Sequence, residues 1–227
     1  MSFHLNHEEY SMKFLPNLFA NNVQWAQQVE QQEPGFFKSL SDQQNPEYLW
    51  IGCADSRVPA NEIVGLKPGE LFVHRNVANC VVHTDLNCLS VIQYAVEVLK
   101  VKHIIVTGHY GCGGINSAMN NAKFGLVDNW LRHIKDVQHK HSAHLKTFSD
   151  PVAKQDRLTE LHVIEQVMNV AHTSIVQDAW SRGQQLQLHS WIYSLKDGKL
   201  TDLDTCISSA GEATGTYLAA IEKLTSK

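Results

Sequence analysis

Apolar and polar positions follow two rhythms along this chain, and the change of rhythm divides it. From about residue 12 to residue 32, Phe14, Leu15, Leu18, Phe19, Val23, Trp25, Ala26 and Val29 recur at near-helical intervals. This predicts an amphipathic helix that tolerates Pro16 in its first turn. Its apolar stripe would face its own domain or another subunit, and periodicity does not distinguish the two. Short apolar runs follow. Tyr48 to Ile51, stopping at Gly52, reads as a buried strand, Leu71 to Val73 as a second, and His103 to Thr107, ending at Gly108, as a third. Leu86 to Leu99 between the last two is an apolar-rich helix, and strand, helix, strand in that order implies parallel crossovers. Further helices are expected from within Gly111 to Gly114, from Val127 to about His141, and from Leu158 to Trp180 with a break near His172 and Thr173. The alternation Leu186, Leu188, Ser190, Ile192 reads as a strand, with a hairpin signal at Asp197-Gly198. The pattern is that of an α/β domain with helical elaborations.

Composition narrows the partners. The 227 residues are 43% hydrophobic and 19% charged, a length and balance that suit one large or two small domains with a sizeable core. With 19 Lys+Arg against 23 Asp+Glu the net charge is −4, so no basic field exists for nucleic acid. The N-terminus mixes His, Glu, Asn and Lys among its apolar residues, which leaves no export signal and places the protein in the cytoplasm. The longest apolar runs are a few residues, far short of the roughly 20 that span a bilayer, so no membrane partner is expected. Cys53, Cys80, Cys88, Cys112 and Cys206 form an odd set for which no disulfide framework is expected. Of these, Cys80, Cys88 and Cys206 lack a paired ligand spacing and read as packed apolar residues. His139, His141 and His144 lie in a polar stretch and read as decoration of a solvated helix. His162, His172 and His189 are open as proton shuttles, with none singled out.

In open parallel sheets, ligands bind at the carboxyl ends of the strands. Cys53-Ala54-Asp55-Ser56-Arg57 follows the first strand, and Gly108-His109-Tyr110-Gly111-Cys112-Gly113-Gly114 follows the third. The three-residue spacing of His109 and Cys112 lets both face one point where a loop enters a helix. With Cys53 they form a Cys2His set suited to a catalytic Zn2+, which keeps three protein ligands and a fourth position for water or substrate. Asp55 stands near that position as either a fourth ligand or a hydrogen-bond acceptor, and Arg57 is placed to take it in a bidentate pair. Taken singly, a buried Cys is more often a small core residue. The shared placement at strand ends and the Asp-Arg pair favour the metal. Gly111, Gly113 and Gly114 would expose N–H groups at a helix start, which favours an anion. A phosphate loop would need a following Lys-Ser/Thr, which is missing.

These two segments, together with Gly69 to Asn79 and the late strand, resemble the β-class carbonic anhydrases over roughly Phe14 to Asp204. The resemblance implies a single domain over residues 1–227 with a central, mostly parallel sheet flanked by helices. It also implies a helical N-terminal arm over residues 1–35 between subunits and a C-terminal antiparallel edge strand. One Zn2+ per subunit would sit on Cys53, His109 and Cys112, in a homodimer that commonly pairs into a homotetramer. The activity implied is that of a zinc lyase, the reversible hydration of carbon dioxide to bicarbonate and a proton by zinc-bound hydroxide. Asp55 would orient that hydroxide, and Arg57 would hold Asp55 off the metal. Trp50, Arg75 and Tyr193 match an allosteric subclass in which bicarbonate also occupies a noncatalytic pocket. There Asp55 becomes the fourth zinc ligand of an inactive form, reached when the loop carrying Val58 is displaced, and higher pH favours the active form. Two alternatives share the same residues: a noncatalytic zinc protein closed by Asp55, and a hydrolase of a CO2 analogue such as carbon disulfide. The Arg57 partner argues against the first; the second turns on a substrate tunnel that sequence does not display.

Overall fold

The computed structural model describes residues 14–42, 45–55 and 57–226, and the chain divides into two units, residues 1–44 and 45–227. The N-terminal residues read for an export signal, the first positions of the predicted arm helix and Ser56 lie outside the described residues. In the first unit, α1 (Pro16–Gln32) starts with proline in its first turn as expected, and α2 (Phe36–Asp42) follows a turn at Gly35. The chain pattern did not reveal α2, which is too short to show a period. Trp25 meets Phe37 edge-on at 5.5 Å and ties the two helices together. Phe14, Leu15, Leu18, Phe19, Val23 and Trp25 are all exposed within this unit.

The second unit runs β1 (Tyr48–Cys53), α3 (Ala60–Val64), β2 (Leu71–Asn76), a 3-10 turn at Val77–Asn79, α4 (Leu86–Gln93), a π-helical turn at Tyr94–Val98 and β3 (His103–His109). It continues with α5 (Gly113–Met119), α6 (Val127–Trp130), α7 (Arg132–Lys140), α8 (Ser142–Leu145), α9 (Pro151–Ala171) and α10 (Ser174–Ser181). The strands β4 (Gln187–Tyr193) and β5 (Leu200–Asp202) and the helix α11 (Ala210–Thr225) complete it. The sheet order is β2-β1-β3-β4-β5, parallel through the first four strands with β5 antiparallel at the edge, as the resemblance implied. No helix among the described residues is long and apolar enough to cross a membrane.

Two strands run past the glycines that seemed to end them. A Cβ on Gly52 would stand 2.5 Å from Trp50 Nε1, and one on Gly108 would stand 2.5 Å from Val163 Cγ2. These glycines admit a neighbour that presses on the sheet; they do not stop the strand. The consequence is functional, because Cys53 and His109 become the last residues of β1 and β3 and inherit the sheet's rigidity. The face bearing Leu49, Ile51, Ile104, Val106, Leu188 and Ile192 packs on Val163, Ile164 and Val167 of α9. On the opposite face Trp50, Leu71 and Ile105 pack with Ala60 of α3.

The predicted helix from Val127 to about His141 is divided at Leu131, and the long helix from Leu158 begins earlier, at Pro151, where Asp150 accepts from Val152 and Ala153 N–H. It breaks at His172 as expected, and Thr173 caps α10. α11 escaped the pattern, although its capping box, Ser209 with Glu212, is a sequence-level start signal. All five cysteines are free, and Cys206 is exposed where the sequence reading had it packed.

The reading of His139, His141 and His144 as surface decoration fails for His141. It is buried and its Nε2 lies 2.7 Å from Glu165 Oε1, because α7 turns it towards α9 beside Ile134 and Val137. Burial alone would raise the Glu165 carboxyl, but hydrogen bonds from His141, Lys140 and Tyr217 bring it down to about 2. A carboxyl depressed from 4.5 to about 2 contributes on the order of 3 kcal/mol above the unfolded value and loses it as pH falls through the folded one. Glu165→Gln is therefore expected to lower the thermal midpoint at neutral pH. Thermal melts of the two proteins should converge as pH drops below about 4.5, and a constant gap would refute the assignment.

Candidate metal centre

Cys53, His109 and Cys112 are brought together as expected: all three are buried and their ligand atoms lie within 4.8 Å of one another. Parallel pairing of β1 with β3 places Cys53 beside the end of β3, and the turn at Gly111, with φ +71, returns Cys112 to the same point. The two sulfurs are 3.9 Å apart, close to the roughly 3.8 Å that two Zn–S bonds of about 2.3 Å subtend at a tetrahedral centre. His109 Nδ1 lies 3.1 Å from Tyr110 O, which it serves as donor, so the lone pair is on Nε2. That nitrogen is buried and has no hydrogen-bond partner. An orphaned imidazole lone pair facing two cysteine sulfurs is a donor set that fits zinc.

The sulfurs form a coupled pair. A hydrogen bond from Cys112, helped by the peptide N–H groups of Asp55 and Ala78, brings Cys53 down to about 4 against its burial. The same bond to Cys53, with burial and the Cys53 charge, pushes Cys112 up, while the N–H groups of Ile115 and Gly114 oppose this. The amides at the start of α5 thus serve the Cys112 sulfur, where the sequence reading had offered them to an anion. Gly114 is needed for a close approach, since a Cβ there would meet Ala78 Cβ at 3.1 Å.

Asp55 does not belong to the three-residue cluster. Its Oδ1 accepts from Arg57 Nε at 3.4 Å, a single long contact between half-exposed side chains where a bidentate pair was expected. Arg57 adopts φ 60 and lines a cavity of about 340 Å³ with Tyr110, Gln155, Asp156 and Lys196. Gln155, whose Nε2 donates to Cys112 O at 3.3 Å, joins this cavity to the centre, and nothing in its sequence context marked it. Tyr110 OH donates to Glu160 at 2.6 Å.

Trp50, Arg75 and Tyr193 fall on one face of the sheet, since Arg75 pairs with Gly52 on β2 and Tyr193 with His109 on β4. Trp50 is buried edge-on to Trp191. Its Nε1 has no partner, and neither does the buried Thr107 Oγ1, which the register places opposite Gly52 on β3. Arg75 Nη2 donates to Val58 O at 2.6 Å. Thr107 was not singled out from the sequence; only its unpaired hydroxyl marks it.

Of the histidines left open as shuttles, His162 is fully buried and bonded to Ala78 O, which removes it from that role. His189 is paired with His103 at 3.0 Å, and His172 is exposed at the end of α9. A second grouping, His74, Asp85 and Cys88, also has ligand atoms within 4.8 Å. There His74 Nε2 already meets Asn76 Nδ2 at 3.3 Å and Asp85 accepts from Asn87 N–H as the cap of α4, so hydrogen bonding accounts for both.

A Cys2His set on the carboxyl ends of parallel strands, with an Asp-Arg pair beside it, marks an α/β protein with a candidate catalytic zinc site. The carbonic anhydrase family model matches residues 48–200. A carbonic anhydrase of Emericella nidulans is 47% identical over 187 residues, 82% of each chain. The β-carbonic anhydrase of Coccomyxa, solved with acetazolamide, superposes with TM-score 0.82 at 38% identity over 88% of this chain and 90% of its own. One of two tetrameric β-carbonic anhydrases from Sordaria macrospora gives TM-score 0.80 at 36% identity, covering 85% and 98%. The chain belongs to the β-class carbonic anhydrases, enzymes that use one zinc per subunit.

Proposed function

We propose that this chain hydrates carbon dioxide reversibly to bicarbonate and a proton, with Asp55 and Arg57 as its working residues and with switching by pH and bicarbonate. The observation that carries this reading is the position of Asp55: paired with Arg57 and outside the Cys53-His109-Cys112 cluster, it is free to accept a hydrogen bond at the reacting centre. Bound zinc supplies a Lewis acid that makes water a nucleophile near neutral pH. Asp55 orients the nucleophile towards carbon dioxide, and Arg57 restrains Asp55 from becoming a ligand. The cavity beside Arg57, Tyr110 and Gln155 is the entry route that this reading assigns to small molecules.

Arg75 holds the Val58 carbonyl, and Val58 adjoins Arg57. A bicarbonate bound by Arg75, the orphaned Trp50 Nε1 and Tyr193 would compete for that guanidinium and release the loop, letting Asp55 reach the metal. A ligand shifts such an equilibrium only by its differential affinity, and the two unpartnered buried groups, Trp50 Nε1 and Thr107 Oγ1, supply a reason for it. The assembly we propose is a homodimer, and a dimer of dimers, in which the exposed apolar face of α1 lies between subunits. A cytoplasmic setting accords with five unpaired thiols.

Stopped-flow hydration by the zinc-loaded protein tests the reading. Carbon dioxide should be hydrated, and absence of hydration with one zinc per subunit would turn attention to a CO2 analogue. Light scattering should give a dimer or tetramer mass; a monomer would refute the assembly.

A further inference from the structure

Helix α9 carries polar side chains where its neighbours are core residues. His162, Gln166 and Asn169 stand at i, i+4 and i+7, on one face of the helix. All three end on the backbone of residues 78–81. His162 Nε2 lies 2.8 Å from Ala78 O, Gln166 Oε1 accepts from Val81 N at 2.8 Å, and Asn169 Nδ2 donates to Val81 O at 2.9 Å. The three also bond one another: Gln166 Nε2 is 3.4 Å from His162 Nδ1, and Asn169 Nδ2 is 3.2 Å from Gln166 Oε1. This order fixes the tautomer, with the Nε2 proton given to Ala78 O. Burial lowers His162 to about 4, so the ring is a neutral donor. From the strand side Asn76 closes on Cys80, accepting its N–H at 2.8 Å and donating to its carbonyl at 2.7 Å.

What is held in this way is a strained turn. Ala78 and Asn79 have φ 62 and 44, two successive left-handed residues without a glycine. Both are buried. The turn directs the Ala78 N–H at Cys53 Sγ, 3.3 Å away.

We propose that His162, Gln166 and Asn169 are positioning residues of the metal centre: by holding the Ala78 carbonyl and the Val81 backbone they fix the left-handed turn in which the Ala78 N–H donates to the Cys53 sulfur and moderates the charge this ligand gives to zinc. Two thiolates offset the charge of Zn2+ and weaken it as a Lewis acid. A hydrogen bond into one sulfur withdraws part of that charge, in the way outer partners tune metal ligands generally. The N–H that meets the sulfur belongs to the peptide joining Val77 to Ala78, whose carbonyl accepts from Trp130 Nε1 at 2.8 Å, and His162 holds the carbonyl on the other side of the Ala78 Cα, so both peptides flanking Ala78 are fixed and the N–H has one direction left to it. The inference rests on zinc occupying Cys53, His109 and Cys112, and thiolate-to-cobalt absorption in the Co2+-substituted wild type tests that separately.

The test compares the Co2+-substituted full chain with His162→Leu, His162→Gln and Asn169→Ala. In His162→Leu the thiolate charge-transfer band should move to lower energy, as expected for a more electron-rich sulfur, and exchange of the Ala78 amide should quicken on the order of tenfold. His162→Gln, which restores a donor, should return both towards wild type. Asn169 is only half-buried, so Asn169→Ala keeps the test open if His162→Leu fails to fold, and it should give a smaller shift in the same direction. A band that stays at the wild-type energy in the folded variants, whatever happens to amide exchange or melting temperature, overturns the proposal and leaves the stripe a packing feature.

Discussion

Asp55→Asn is expected to lower kcat for carbon dioxide hydration on the order of 100-fold or more while zinc remains at one per subunit. The amide keeps the size of the carboxylate but loses its charge. It is a weaker acceptor for the nucleophile, and its ion pair with Arg57 Nε, 3.4 Å long in the native structure, is gone. Zinc should be retained because Cys53, His109 and Cys112 form the buried cluster without Asp55. A noncatalytic zinc protein closed by Asp55 would behave in the opposite way, losing metal affinity with no activity to lose. Metal content and stopped-flow rates on the same preparation therefore separate the two, and near-normal turnover in the variant would sink the role given to Asp55.

The ligand set was legible because each ligand lies in a short segment whose chemistry is local: Cys-x-Asp-x-Arg after one strand and His-x-x-Cys after another. The parallel sheet was legible for a related reason, the apolar runs of β1 and β3 being unbroken except by glycine. Glycine also misled, since Gly52 and Gly108 lie within strands because Trp50 and Val163 press on them, and that pressure is a tertiary fact. The grip on residues 78–81 could not be read at all. His162 and Ala78 are 84 positions apart, and a histidine on a helix has no local sign of the carbonyl it will meet. His141 was misread likewise, its partner Glu165 lying on another helix. What sequence spacing conveys is chemistry within one segment. Polar groups satisfied across the core leave no such trace, and only accounting for buried donors and acceptors finds them.

Hydration is expected to rise steeply between about pH 7 and about pH 9, and added bicarbonate should depress it most at the lower pH. The sign follows from proton bookkeeping. In the proposed switch, moving Asp55 from the metal to Arg57 would be coupled to release of one proton, so each pH unit would favour the Arg57-paired form by about tenfold until that form predominated. Bicarbonate would act from the other side, competing for Arg75 against the Val58 carbonyl that this side chain holds at 2.6 Å. Trp50→Phe separates the two influences. It deletes an N–H that makes no hydrogen bond within the protein, so no native bond is broken, yet the proposed anion loses a buried donor. The concentration of bicarbonate giving half-inhibition should rise on the order of tenfold in this variant, with the pH dependence kept. Each rate is read as a ratio with and without bicarbonate, so a change in basal rate cancels. A flat pH profile in the wild type would discard the switch. An unchanged half-inhibition concentration in Trp50→Phe would instead remove the anion from the face that Trp50 shares with Arg75 and Tyr193.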